Sequence, residues 1–252
     1  MDTRQAQPFG VDFGGSGIKG APVDLGTGQF AAERIRIPTP EQATPANVAA
    51  IVEALLVRAE AASDAPVGIT VPGVVKHGVV RSAANIDQAW IDVDADAVFT
   101  QRLGRPVTVM NDADAAGFAE ARYGAAAGQS GLVIVTTLGT GIGSALVFDG
   151  VLVPNSEIGH LEIDGHDAET RAANSVREQY DLSWQEWAEA LTTYYRTVEK
   201  LFSPDLFVVG GGVSKHADRF LPLVRIETPI VPATLKNTAG IVGAALLADE
   251  RA

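Results

Sequence analysis

The sequence predicts an α/β protein made of two related lobes, and three observations support this prediction. First, the stretch DFGGSGIKGAPVD at 12–24 is similar to TLGTGIGSALVFDG at 137–150. Second, each stretch has the pattern of a strand, a glycine-rich turn, a second strand and an acidic turn. Third, hairpins come before helices in both halves, and 252 residues suffice for one large domain or two small lobes.

The first half of the chain begins with a hairpin and continues with helices. Thr44 and Pro45 are typical of the N-cap and the first position of a helix, and Pro38 ends the preceding strand. The predicted elements are strands at 9–12, 18–23 and 30–37, a helix at 44–62, a buried strand at 67–71, and a strand at 107–110 leading into a helix that Gly124 ends.

The second half repeats this order. Ser183 is a typical N-cap for a long helix, and the glycines at 210–212 separate an apolar strand from the next helix. The predicted elements are a hairpin at 131–150, a helix at 183–202, a strand ending at 209 with a helix after the glycine turn, and an amphipathic helix at 237–248.

This arrangement is typical of the actin-like ATPase fold, a duplicated ribonuclease H-like lobe with a cleft between its two halves. We assign residues 1–110 to a smaller N-terminal lobe and residues 111–236 to a larger C-terminal lobe. The C-terminal helix, at 237–252, is expected to pack back on the first lobe.

Composition and charge exclude several classes of protein. Asp and Glu total 31 against 19 Lys and Arg, and the net charge of −12 disfavours nucleic acid as a partner. The absence of cysteine excludes disulfides, thiolate nucleophiles and cysteine-ligated zinc. No apolar run reaches the length of a membrane span, and the polar start MDTRQAQ lacks a signal-peptide core, so we expect a cytoplasmic protein without a membrane partner.

The first glycine-rich turn suits a phosphate group. Gly14 and Gly15 let backbone N–H groups approach an anion without interference from a side chain. Ser16 adds a hydroxyl donor, and Lys19 adds a positive charge. Asp12 cannot bind phosphate directly, but it can hold a metal ion or a metal-bound water beside the phosphate. An ordinary tight hairpin is the alternative, because glycine-rich turns are common.

Two further glycine turns repeat this chemistry, which strengthens the phosphate interpretation. The second turn lies in TTLGTGIGS, and the third, in VVGGGVSK, lies between an apolar strand and a helix. The residues of these turns that we assign to the phosphoryl donor are Thr137, Gly139, Thr140, Gly141, Gly211, Gly212 and Lys215.

Asn111 and Asp112 follow a short apolar strand, at the end where α/β proteins bind their ligands. At this position Asp112 can act as a general base that takes a proton from a hydroxyl attacking phosphorus. The alternative is helix capping, which Asn and Asp favour and which by itself explains one of the two residues.

A cluster of carboxylates and an imidazole suits a sugar. Glu157 and His160 are three residues apart in PNSEIGHLEIDGHDAET, and Glu169 follows. Such groups can also bind a metal, but the segment has no cysteine and no HExxH spacing, so zinc is not expected. These side chains can form hydrogen bonds with vicinal hydroxyls, and the amides of Asn85 and Asn111 complete a polyol-binding set.

Six stretches resemble the ROK family of sugar kinases. They are DFGGSGIKGAPVD, NDADAAGFAEARYGAAAG, TLGTGIGSAL, EIGHLEIDG, PDLFVVGGGVSKHAD and TPIVPATLKNTAGIVGAA. More narrowly, they are similar to the polyphosphate glucokinase and glucomannokinase subgroup of actinobacterial type, and the resemblance covers nearly the whole chain.

The resemblance implies transfer of a terminal phosphoryl group from inorganic polyphosphate, and also from ATP, to the 6-hydroxyl of glucose. It also implies a Mg²⁺ requirement and a homodimer. By motif position, Asp112 would be the catalytic base and Asp12 would lie near the metal. The residues that would hold the sugar are Asn85, Asn111, Glu157 and His160. Those that would meet the phosphates are Gly14, Gly15, Ser16, Lys19 and Thr140.

One departure from the family pattern concerns zinc. Most ROK kinases carry a cysteine-rich zinc motif after the Gly-His pair, whereas this chain reads LEIDGHDAET there, as the polyphosphate subgroup does. Glu169 is the best match to the sugar-contacting glutamate near the end of that motif. The alternatives are a strictly ATP-dependent ROK glucokinase or glucomannokinase, a noncatalytic sugar sensor, and a ROK repressor, which the acidic charge and the early first strand disfavour.

Overall fold

The computed structural model describes residues 6–83 and 86–252. Two compact units divide the chain: one comprises the described residues up to Ala115 together with Thr238–Ala252, and the other is Ala116–Asn237. Asn85, which the sequence assigns to sugar binding, lies outside the described residues. In the described part of the chain, no helix combines the length and the apolar character that crossing a membrane requires.

The order of strands and helices confirms the pattern of hairpins followed by helices. The first part of the chain contains β1 (Phe9–Gly14), β2 (Gly17–Asp24), β3 (Gln29–Phe30), β4 (Ile35–Ile37), α1 (Pro45–Arg58), β5 (Val67–Val71), β6 (Val75–Lys76), β7 (Val79–Val80), α2 (Ala95–Leu103), β8 (Val107–Asn111) and α3 (Asp112–Tyr123). The second part contains β9 (Leu132–Leu138), β10 (Ile142–Phe148), β11 (Val151–Val153), β12 (Glu162–Ile163), β13 (His166–Asp167), α4 (Glu169–Ala172), α5 (Asn174–Gln179), α6 (Trp184–Phe202), β14 (Leu206–Gly210), α7 (Ala217–Phe220) and β15 (Ile230–Pro232). The last element is α8 (Ala239–Glu250).

The main sheet described in the first unit is built on the β1–β2 hairpin, and its strand order is β3-β2-β1-β5-β8, with β4 also paired to β2. β1 is antiparallel to β2 and parallel to β5, and β5 is parallel to β8. Val11 and Phe13 of β1 are buried in the core on one face of this sheet. On that core packs α1, which begins as predicted, because the Thr44 side chain accepts a hydrogen bond from the Asn47 N–H.

The second unit repeats this pairing in the sheet β11-β10-β9-β14-β15. β9 is antiparallel to β10 and parallel to β14, and β14 is parallel to β15. The predicted similarity of the two hairpins is therefore confirmed. Ser183 and Glu186 cap α6 reciprocally, and the buried Tyr195 of this helix packs against Phe207 of β14 with ring centroids 5.0 Å apart.

Helix α8 packs directly on β1 and β5. A Cβ atom at Gly10 or at Gly68 would overlap a backbone carbonyl of α8, from Ile241 and Ala244 respectively. Only glycine permits this close approach of helix and sheet. The predicted amphipathic character of this helix is wrong. Most of its residues are buried, and a helix that is apolar on all sides is an interior helix.

Two other sequence predictions require correction. The single strand predicted at 30–37 is two short strands, β3 and β4, both paired to β2. Four residues lie between Phe30 and Ile35, whereas only two lie between their β2 partners, Val23 and Gly20. One of these two is Pro22, which has no N–H to donate, and the pairing with β2 is interrupted there. The helix predicted after the third glycine turn is broken into a 3₁₀ turn, the four-residue α7 and a second 3₁₀ turn that contains Pro222.

Candidate active site

In the first unit, Asp12 lies at the centre of a polar row on the β1–β2 hairpin. Lys19 is its direct cross-strand partner, and the Lys19 Nζ lies 3.4 Å from Asp12 Oδ2. Thr70, the paired residue on β5, donates its hydroxyl to Asp12 Oδ1 at 3.2 Å. The Lys19 and Asp12 side chains are about one quarter exposed, at 27% and 22% respectively. The structure therefore brings together the predicted metal ligand and the predicted phosphate-binding lysine.

The turn after β1 is short, and two side chains from later in the sequence donate hydrogen bonds to its backbone. Gly15 and Ser16 form the exposed two-residue connection between Gly14 and Gly17. The Thr39 hydroxyl donates to the Gly14 carbonyl at 2.6 Å, and a guanidinium N–H of Arg36 donates to the Ser16 carbonyl at 2.6 Å. These contacts use carbonyl oxygens, so they fix the turn without occupying its N–H groups.

Asn111 and Asp112 mark the point where β8 becomes α3. The Asn111 Oδ1 accepts hydrogen bonds from the N–H groups of Ala113 and Asp114, at 2.8 and 2.9 Å, and its Nδ2 donates to the Gly73 carbonyl at 3.0 Å. Asn111 therefore caps the helix and is buried, and one N–H of its amide remains beyond these three contacts. Asp112 lies half-buried in the first turn of α3, and its Oδ1 accepts a hydrogen bond from the Ala113 N–H at 2.9 Å.

In the second unit, the two remaining glycine turns lie beside each other. Thr137 of β9 is the register partner of Gly210 at the end of β14. Gly211 has a φ of +82°, and a Cβ atom there would overlap the backbone of Leu138, so glycine is required. Ser175 holds the other side of the second turn, because its backbone N–H donates to the Gly139 carbonyl and its hydroxyl to the Thr140 carbonyl. Gly141, Gly212 and Lys215 belong to these same two turns.

His160 is held by a carboxylate that the sequence analysis did not identify. Its Nδ1 lies 2.8 Å from Asp167 Oδ2, and a carboxylate only accepts, so Nδ1 carries the hydrogen. Nε2 is then the acceptor of the neutral ring. The hydrogen bond that His160 donates to Asp167 raises the pKa of His160, partial burial opposes this rise, and the nearby charge of Glu169 reinforces it.

Glu157 and Glu169 lie close to this histidine. The Glu169 Oε1 is 4.0 Å from His160 Nδ1, and its Oε2 accepts a hydrogen bond from the Ile142 N–H at 3.0 Å. Partial burial raises the pKa of Glu157, the His160 charge opposes this rise, and the Glu169 charge adds to it. The structure thus brings Glu157, His160 and Glu169 into one group, with Glu169 also fixing the second glycine turn.

The described side chains include one set with metal-ligand chemistry, namely His160, Asp167 and Glu169, whose ligand atoms lie within 4.8 Å of one another. Protein hydrogen bonds already engage these groups. Asp167 accepts from His160 and from the Glu169 N–H, and Glu169 accepts from the Ile142 N–H. The expectation that the protein uses no zinc remains a prediction.

Four supporting residues escaped sequence analysis because they act through register or tertiary contact. Thr70 and Arg36 become neighbours of the first hairpin only through strand pairing, and Asp167 and Ser175 only through the folding of 160–175. Trp90, which follows the predicted sugar-binding Asn85 in the sequence, is a buried core residue that donates its indole N–H to the Ala43 carbonyl.

Comparison with known proteins identifies the class of protein. The sequence profile of the ROK family matches residues 8–176, and the chain belongs to this family. It is 51% identical over 249 residues to the polyphosphate glucokinase of Mycobacterium tuberculosis (strain CDC 1551 / Oshkosh), an alignment that covers 97% of this chain and 92% of that protein.

Two solved structures are also similar. The inorganic polyphosphate/ATP-glucomannokinase from Arthrobacter sp. strain KM is 57% identical with a TM-score of 0.93, covering 98% of this chain and 100% of that one. A ROK family glucokinase from Streptomyces griseus, in complex with glucose and AMPPNP, is 26% identical with a TM-score of 0.84, covering 97% and 99%. The predicted family and the actin-like ATPase fold are confirmed.

Asp167→Asn should lower the pKa of His160, because the amide cannot provide the negative charge that favours the imidazolium. The raised pKa means that the pair stabilises the fold fully below the ordinary histidine value of about 6.5 and loses this contribution as pH rises through the folded value. The variant should therefore lose more thermal stability at pH 5.5 than at pH 9, and an NMR titration of the His160 ring measures the shift.

Asp164→Asn provides the matched control, since Asp164 lies at the exposed tip between β12 and β13. The same substitution at Asp164 should leave the pKa of His160 unchanged in the NMR titration. An unchanged His160 pKa in Asp167→Asn would mean that the Asp167 hydrogen bond does not form in solution.

Proposed function

We propose that this protein is a polyphosphate-dependent glucokinase, which transfers the terminal phosphoryl group of inorganic polyphosphate to the 6-hydroxyl of glucose and yields glucose 6-phosphate. The observation that carries the proposal is the 51% identity, across 97% of the chain, to a polyphosphate glucokinase. The proposal extends to ATP as a second donor, to Mg²⁺ as cofactor, and to a homodimer in the cytoplasm.

The acceptor chemistry is assigned to Asp112 and the sugar-binding set. Asp112 takes the proton of the 6-hydroxyl while that oxygen bonds to the terminal phosphorus, and the bond from this phosphorus to the rest of the donor breaks. Asn111 is free to donate through its remaining amide N–H. The other residues assigned to the sugar are Asn85, Glu157, His160 and Glu169.

The hydrogen-bond acceptors of the His160 group support the binding of a sugar there. Glu157 accepts when ionised, and the Nε2 of neutral His160 also accepts, so the pair matches hydroxyl donors. Partial burial raises the pKa of Glu157, and the hydrogen bond to Asp167 raises the pKa of His160, so the charge on both groups and the affinity for glucose should depend on pH.

The donor chemistry is assigned to the three glycine turns. Backbone N–H groups and a few cations can bind phosphates on a protein whose net charge is negative. The residues assigned to the donor are Gly14, Gly15, Ser16, Lys19, Thr137, Gly139, Thr140, Gly141, Gly211, Gly212 and Lys215.

Asp12 fits the requirements of Mg²⁺, which binds through one or two carboxylates together with water and substrate phosphates. Its carboxylate is partly exposed at the hairpin, and its existing partners are a hydroxyl and an ammonium group. Bound Mg²⁺ would neutralise charge on the phosphates, and Asp12 would hold it directly or through water.

A strictly ATP-dependent glucokinase is the second candidate. The Streptomyces griseus glucokinase, whose structure contains glucose and AMPPNP, favours it. A glucomannokinase activity is supported in the same way by the Arthrobacter protein.

Initial rates with polyphosphate and with ATP, each with glucose and with mannose, test the proposed function. We expect polyphosphate to support glucose phosphorylation, removal of Mg²⁺ to stop it, and a zinc-selective chelator to leave it unchanged. Activity with ATP alone would replace the proposal with the ATP-dependent glucokinase.

Asp112→Asn should lower kcat by about a hundredfold to ten-thousandfold, because the amide keeps the size of the side chain but cannot take up the proton. Asn111 still caps α3, so the fold should persist, which thermal unfolding checks. Asp94→Asn is the control for the substitution itself, since Asp94 lies at the start of α2, accepts a hydrogen bond from the Ala97 N–H and has no assigned catalytic role. If Asp112→Asn kept more than about a tenth of kcat, another group would be the base.

A further inference from the structure

A row of paired polar residues crosses four strands of the first unit. Strand register aligns Thr70 of β5 with Asp12 of β1, Asp12 with Lys19 of β2, and Lys19 with Arg36 of β4. Directly paired residues present their side chains on the same face of a sheet. Arg36 was absent from the sequence-based set, because only the pairing of β4 with β2 brings it beside the first glycine turn.

The charges in this row do not balance. Lys19 pairs with Asp12, whereas no carboxylate of a described residue lies within ion-pair distance of Arg36. Like charges directly opposite each other in a sheet are unfavourable, and Lys19 and Arg36 are such a pair. The end of the row therefore carries an excess positive charge that an anion would relieve.

Arg36 is also held in place before any ligand binds. One guanidinium N–H donates to the Ser16 carbonyl at 2.6 Å, and the group lies against Gly17, where a Cβ atom would come within 2.6 Å of the Arg36 Nε. Arginine has five N–H donors, so several remain for an anion. A planar guanidinium fixed in this way loses little freedom when it binds a phosphate.

We propose that Arg36 binds a phosphate unit of the polyphosphate donor beyond those held by the first glycine turn. This inference rests on the proposed function and adds a donor-selecting residue to it. Neighbouring strands lie about 4.8 Å apart, so the step from Lys19 to Arg36 continues a cationic path that a chain of linked phosphates can follow. A nucleotide ends its phosphates at a neutral ribose and gains less from this extension.

The test uses the full-length protein with long-chain polyphosphate and with ATP. Arg36→Gln should raise KM for polyphosphate on the order of tenfold more than KM for ATP, since one charged hydrogen-bonding contact is lost. It should also flatten the rise of the polyphosphate KM with added salt, because one screened contact is gone. Arg36→Lys, which keeps the charge but not the planar fork, should fall between the two proteins.

Arg105→Gln is the matched control. Arg105 is partly exposed and donates to the Ala62 backbone carbonyl at 2.7 Å, so the substitution removes the same charge and the same kind of contact elsewhere in this unit. Arg105→Gln should leave KM for polyphosphate, KM for ATP and the salt dependence of the polyphosphate KM unchanged.

Equilibrium dialysis of polyphosphate against the unmodified protein and Arg36→Gln distinguishes a failure of the Arg36 role from a failure of the proposed function. If the unmodified protein binds polyphosphate and uses it, but Arg36→Gln has the same affinity or weakens both donors equally, the role of Arg36 is overturned while the proposed function stands. If the unmodified protein neither binds nor uses polyphosphate, both are overturned.

Discussion

Strand register on the first hairpin is the constraint on which the rest of the first unit's chemistry depends. Four different strands carry Asp12, Lys19, Arg36 and Thr70, and the pairing of β1 with β2 and β5, and of β2 with β4, makes these residues neighbours. A slip of one residue would send each of these polar side chains to the opposite face. The close packing of α8 against Gly10 and Gly68 supports this register from outside the hairpin.

Hydrogen bonds hold the segment after the Gly-His pair, which contains no cysteine. The short β12–β13 ladder pairs Glu162 with Asp167, and the Thr170 hydroxyl donates to the Asp167 carbonyl. The Asp167 side chain meanwhile holds His160 and the Glu169 N–H. Hydrogen bonds thus fix the imidazole and the glutamate that we assign to the sugar.

Local signals in the sequence predicted much of the fold and part of the site. Glycine turns between apolar strands defined both hairpins, and Thr44 and Ser183 marked helix starts through capping chemistry that needs no tertiary context. The division of 30–37 into two strands depends on the pairing of this segment with β2 around Pro22. The burial of α8 depends on the elements that pack against it. No local pattern in the sequence predicts either feature. The partnership of Asp167 with His160 was equally inaccessible, because no periodicity relates the two residues.

We assign the phosphoryl donor to the first hairpin and the sugar to the His160 group. The most direct measurement is KM for polyphosphate and KM for glucose in Lys19→Ala and His160→Ala. We expect Lys19→Ala to raise chiefly KM for polyphosphate and His160→Ala to raise chiefly KM for glucose. If both substitutions raised the same constant, or if each acted on the substrate assigned to the other, this assignment would be contradicted.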